Sequence, residues 1–207
     1  MKEVFNITIG RQFGSGGREI GDKLAVQLGI SFYDKELIHI ASRKSGLGKE
    51  YFEKADERKS YPIISGMLGM RSAITDDAFS GYYLSNETLF KIQSDVILEL
   101  SEETSSVFVG RCADYVLGGK KRCLNVFISA DMKDRIKRIS ETYNLTGKKA
   151  ADLIEKTDKK RAGYYNYFSN KEWGAAGSYH LCVNSSVLGI DDTVNVIRHF
   201  AEKLFGL

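Results

Sequence analysis

Apolar positions along the chain change period several times, and the changes mark out its elements. Glu3 to Gly10 groups β-branched residues into a short buried strand. After a turn, Ile20, Leu24 and Leu28 recur four residues apart, one face of a helix that ends at Gly29. Gly21 and Ala25 lie on the same helix and predict close packing. Ile30 to Tyr33 reads as a second strand ending at Asp34, with helices over 35–45 and, strongly charged, over 50–59. Residues 60–85 keep no clean period and hold the single proline, Pro62. A stretch of that length in a compact domain is more often a functional lid or mobile insert than a connector. Asn86 is a plausible N-cap for a helix to about Glu103, with Leu89, Phe90, Val96, Ile97 and Leu100 turned inward. Strands follow at 107–110 and 124–130, then basic helices at 131–142 and 146–163. A last strand at 179–184 precedes a helix at 191–205, with Val194, Ile197, Ala201 and Leu204 inward.

Strands alternating with helices predict a parallel sheet covered on both faces and joined by right-handed crossovers. Ligands of such sheets sit beyond the carboxyl ends of the strands. Those ends are Gly10 to Gly17, Asp34, Gly110 with Arg111, Ala130 with Asp131, and Asn184.

Composition narrows the picture. With 207 residues, 43% hydrophobic and 28% charged, the chain reads as one soluble globular domain. A net charge of +3 suits anionic small molecules and is too weak to argue for nucleic acid. Cys112, Cys123 and Cys182 are odd in number and lack C-x-x-C spacing, which favours reduced thiols over disulfides or zinc. No signal-peptide pattern follows Met1 and no apolar run is long enough to span a bilayer, so the expected location is cytoplasmic.

The richest chemistry lies in ITIGRQFGSGGREIG, Ile7 to Gly21. A strand runs through a glycine-rich turn into a helix, whose first amides and dipole suit a phosphate. Gly14, Ser15, Gly16, Gly17, Arg18 and Glu19 are the candidate cradle. The motif G-x-x-x-x-G-K-[ST] is not matched, because Gly17 falls where its lysine should stand. Arg18 is the candidate replacement, since a guanidinium pairs bidentately with phosphate, and an ion pair with Asp22 is the structural alternative. Asp34 reads either as a group orienting an acceptor hydroxyl or metal-bound water, or as a helix N-cap. Lys156 to Trp173 mixes Lys159, Lys160 and Arg161 with Tyr164, Tyr165 and Phe168. It reads as a lid bringing cations to a phosphate, or as a helix with a solvated basic face. A pair between Asp158 and Arg161 would tie up one cation.

ITIGRQFGSGGREIGDKLAVQLGISFYDKELI, VFVGRCADYVL, NVFISADMKDRIKRI and DKKRAGYYNYF, followed by YHLCVNSSVLGIDDTV, together resemble the cytidylate kinase-like family, a branch of the P-loop nucleoside monophosphate kinases. The resemblance implies a three-layer P-loop fold with five parallel strands, a helical monophosphate-binding insert (about 46–104) and an arginine-bearing lid (about 156–178). It implies phosphoryl transfer from ATP, with Mg²⁺, to CMP or dCMP. By position, Gly14 and Gly16 match the phosphate cradle, and Asp34 the acidic residue near the acceptor. Gly110 and Arg111 match the pair whose arginine grips the acceptor, and Lys160 and Arg161 the lid cations. Cytidylate kinases proper carry lysine where Gly17 stands and aspartate where Cys112 stands.

Two other readings stay open: a nucleotide-binding protein without transfer, and a kinase for a different small acceptor. No protein-built metal site is expected, with Glu19 or Asp34 at most behind metal-bound water. The apolar stretch around Ile63 to Met70 fits a homodimer contact, an acceptor pocket or core equally. A side chain in place of Gly16 is expected to block nucleotide while changing the unliganded melting point little.

Overall fold

The computed structural model describes residues 3–34, 40, 43 and 86–207. The expected helices over 35–45 and 50–59, the segment 60–85 and the apolar stretch near Ile63 lie outside the described residues. The chain divides into two compact units, 1–34 with 97–207, and 35–96. The candidate strand-end residues all belong to the first.

Five strands form that unit's sheet: β1 (Asn6–Arg11), β2 (Ser31–Tyr33), β3 (Ser106–Val109), β4 (Cys123–Ser129) and β5 (Leu181–Asn184), in the order β2-β3-β1-β4-β5. Every pairing is parallel, with Ile7 opposite Val107 on one side and Leu124 on the other. The helices are α1 (Gly17–Leu28), α2 (Asn86–Glu103), α3 (Ala113–Val116), α4 (Met132–Tyr143), α5 (Gly147–Ser169) and α6 (Ser185–Phe205).

The core follows from the periods. Ile7 and Ile9 of β1, with Val107 and Val109 beside them, meet Ile20 and Leu24 of α1 and Val194, Ile197 and Ala201 of α6. Burying each large aliphatic side chain contributes about 1.5–3 kcal/mol. Gly21 is small because a Cβ there would lie 3.0 Å from Ile9 Cδ1 and 3.1 Å from Val109 Cγ2, so α1 rides close on the sheet. Gly29 ends α1 at φ 65°, its N–H returning to the carbonyls of Ala25 and Val26.

Differences from the sequence reading fall at element ends, where β1 opens at Asn6 rather than Glu3 and β5 at Leu181 rather than 179. Leu204, expected inward, is half exposed, while Phe205 is buried. Helix α5 runs to Ser169 rather than 163, through the aromatic run, because Tyr165 and Ser169 are buried. The last helix begins at Ser185 rather than 191, since Asn184 caps it by accepting from Ser186 N at 2.9 Å. Gly189 breaks its regularity at φ 76°, ψ 176°. Cys112 and Cys123 are buried thiols and Cys182 an exposed one, with no disulfide among them. No helix among the described residues is long and apolar enough to cross a membrane.

Candidate active site

The turn between β1 and α1 is held from three sides. Gly14 and Gly16 sit at φ 80° and 79°, the left-handed region in which a side chain costs about 1–2 kcal/mol. Ser15 between them is fully buried. Its N–H donates to Gln12 O, its Oγ accepts from Gly17 N, and its carbonyl accepts from Ser185 Oγ at 2.7 Å. On the opposite side, three arginines donate to loop carbonyls. Arg135 Nε reaches Phe13 O at 2.8 Å, Arg138 Nη1 reaches Gly14 O at 3.0 Å, and Arg161 Nη1 reaches Arg11 O at 3.0 Å. Asp158 accepts from Phe13 N at 2.7 Å and pairs with the buried Arg135. Asp158 thus turns to α4 and the loop.

This bracing decides where the amides face. In a trans peptide the C=O and N–H point opposite ways. Arg135 gripping Phe13 O therefore turns the Gly14 N–H away from α4. The N–H groups of Gly14, Gly16, Arg18 and Glu19 have no hydrogen-bond acceptor among the described residues. Four such donors at the positive end of a 12-residue helix are the kind of group that suits an anion.

Two guanidiniums stand at the neighbouring strand ends. Asp34, buried after β2, accepts from Arg18 Nε at 2.9 Å and lies 3.5 Å from Arg11 Nη2. Arg18 also covers the Phe32 ring, 5.7 Å from its centroid, and makes this pair rather than one with Asp22. After β3, Gly110, Arg111 and Cys112 take φ 79°, 57° and 54° in succession, a strained turn from which Arg111 projects.

Behind that turn, Tyr165 Oη donates to the buried Asp114 at 2.7 Å, and its ring stacks on Tyr179. Burial raises the Asp114 carboxyl above its ordinary value and pushes the Tyr179 hydroxyl up to about 12. Burial also pushes the Cys112 thiol up to about 12, so it stays protonated near neutrality. Lys160 and Arg161 lie on α5 in the same unit. Burial lowers the Arg161 pKa, opposed by the charges of Asp158 and Asp34, and its guanidinium covers the Phe13 ring.

The family model for the cytidylate kinase-like family matches residues 6–187. The chain belongs to the cytidylate kinase-like family. Among solved structures it is similar to an uncharacterized protein from Eubacterium ventriosum ATCC 27560, at 25% identity over 97% of this chain and 99% of that one, TM-score 0.71. It also resembles shikimate kinase from Bacteroides thetaiotaomicron, at 13% identity over 97% and 99%, TM-score 0.56. Shikimate kinase from Acinetobacter baumannii aligns at 16% identity over 96% and 93%, TM-score 0.54. No curated protein matches the sequence significantly. The fold is that of the P-loop kinases, and with the family it makes this protein a kinase.

Among the described residues, no group of three His, Cys, Asp or Glu converges. Asp34 is engaged by two guanidiniums, and the Ser15 hydroxyl is buried on a backbone amide. Three positions escaped the sequence reading, Arg11, Arg135 and Arg138, and Asp158 was expected only as a partner of Arg161. Arg135 and Arg138 do stand three apart on one helical face, a readable signal for a shared target. Asp158 carries no such signal, since its partners are 23 and 145 residues away.

Proposed function

We propose that this protein transfers the γ-phosphoryl group of ATP to a nucleoside monophosphate, CMP or dCMP. The observation that carries the reading is the set of four amide donors at Gly14, Gly16, Arg18 and Glu19, with the loop carbonyls drawn to the other side by arginines. The triphosphate lies in that cradle, and the acceptor lies beyond β2 and β3, near Asp34 and Arg111. Lys160 lies on α5, the lid of this reading, and Arg161 beside it holds the Arg11 carbonyl. Mg²⁺ would accompany ATP as its counter-ion and supply positive charge at the phosphates.

The chemistry asks little covalent help from the chain. An acceptor phosphate oxygen attacks the γ-phosphorus, the bond to the β–γ bridging oxygen breaks, and ADP leaves. An ionised phosphate oxygen has no proton to lose, so no general base is needed. What remains is in-line positioning and positive charge around the equatorial oxygens. Asp34 then serves to hold Arg11 and Arg18 in place.

The test measures ADP formation from Mg-ATP with CMP, dCMP, UMP, AMP, GMP and non-nucleotide alcohols. Turnover greatest with CMP or dCMP is expected, and none with any acceptor would reject transfer. Glycine in the lysine position, with Arg18 tied to Asp34, favours a second reading: a nucleotide-binding protein without transfer. It predicts that ATP raises the melting temperature while no ADP appears.

A further inference from the structure

A cation and a glycine have exchanged places in the loop. With the pattern G-x-x-x-x-G-K-[ST] laid on Gly16, its first glycine falls on Arg11 and its lysine on Gly17. The structure gives this exchange a steric reason. A Cβ on Gly17 would stand 2.6 Å from Arg11 Cβ and 3.0 Å from Arg11 Cγ. A side chain at 17 and the stem of Arg11 therefore compete for one space, and here Arg11 has it.

The far end of that side chain is equally constrained. A Cβ on Gly110 would lie 2.0 Å from Arg11 Nη1, so the guanidinium rests on bare backbone at the turn after β3. Asp34, after β2, approaches the other nitrogen at 3.5 Å. The head thus stands where the carboxyl ends of β1, β2 and β3 meet, between the cradle and the acceptor edge, with its side chain one-fifth exposed (20%). Of the arginines on the loop and the helices beside it, Arg135, Arg138 and Arg161 donate to loop carbonyls, and Arg18 is 59% exposed.

We propose that Arg11 is the cation that meets the transferring phosphoryl group, in the role the P-loop lysine fills elsewhere, with Gly17 and Gly110 bare to let it pass. This rests on the phosphotransfer reading above. A guanidinium offers the γ-phosphate two parallel donors where an ammonium offers a point charge.

The experiment compares wild type with Arg11→Met, Arg11→Ala, Gly17→Lys and the double variant Arg11→Ala/Gly17→Lys. Turnover is measured with Mg-ATP and the best acceptor, and affinities for ATP and for ADP by calorimetry. Losing one preorganised cation lowers kcat by about 10²–10³-fold, with ADP affinity kept and the preference for ATP over ADP lost. Gly17→Lys alone, clashing with the Arg11 stem, lowers the melting temperature. The double variant, with the space vacated, recovers at least tenfold of the turnover lost in Arg11→Ala. Unchanged turnover in Arg11→Met, or a double variant no better than Arg11→Ala, overturns the assignment.

Should wild type turn over no acceptor, the kinase reading fails, and the ATP-to-ADP preference still decides for Arg11. Equal preference in wild type and Arg11→Met overturns it. Should Arg11→Met not fold, Arg11→Gln/Asp34→Asn removes charge and partner together, and a wild-type preference for ATP in that protein has the same force.

Discussion

The turns after β1 and β3 both use left-handed backbone, but they carry its strain differently. After β1 the positive φ angles fall on Gly14 and Gly16, which adopt them freely, and the shape is fixed from outside by Arg135, Arg138, Arg161 and Ser185. After β3 they fall on Gly110, Arg111 and Cys112, two of them with side chains, and the main support is local hydrogen bonding into α3. The first turn is inexpensive in itself and depends on distant partners. The second holds its strain in residues that carry side chains. A binding surface can therefore be preorganised either by bracing or by strain, and the two should fail in different ways.

Removing a brace should have the largest effect. Arg135→Met leaves the Asp158 carboxylate in a largely buried site without its partner, a loss of about 3–5 kcal/mol in denaturant unfolding. A second large effect is expected at Gly16, and here the structure departs from the sequence expectation of a small change without ligand. A Cβ at Gly16 would fall 2.4 Å from Ile190 Cδ1 as well as in strained backbone. Gly16→Val should cost about 2–4 kcal/mol without any nucleotide. Ile190→Ala in the same chain should return part of it, and no return would show that backbone strain alone is responsible.

The strained turn should answer in the opposite direction. Arg111→Gly relieves a left-handed side chain and should raise stability by about 1 kcal/mol. In the proposed reading it raises the KM for the monophosphate while the affinity for ATP stays. A variant less stable than wild type would show that the Arg111 side chain itself supports the turn.

The smallest effect concerns pH. Burial lifts the Asp114 carboxyl above its unfolded value. Its contribution is thus full below the unfolded value and is lost as pH rises through the folded one. Asp114→Asn still accepts from Tyr165, so it should gain stability relative to wild type between pH 4 and 7. Urea midpoints across that range check the sign.

The sheet was legible because Ile7, Ile9, Val107, Val109, Leu124 and Val126 form apolar runs bounded by glycine and polar turns. The cradle was legible because glycines follow the first of those runs. What bound the loop was not. Ion pairs such as Arg135 with Asp158 join residues whose neighbours in sequence say nothing of each other. Arg18 illustrates the limit: the ion-pair alternative legible in sequence was Asp22, four residues on, and the partner is Asp34 at a strand end. Helix α5 runs past Gly163, because the aromatic residues from Tyr164 to Phe168 continue it over Asp114.

Ile190 and Ser185 close the floor beneath Ser15 and Gly16, a contact spanning 170 positions of the chain. During synthesis the glycine turn emerges early, but this floor is missing until Ser185 and Ile190 have followed. In the proposed reading, nucleotide capture then waits for these residues and is a property of the folded unit. A ribosome-bound intermediate stopped before Ser185 should leave ATP in solution.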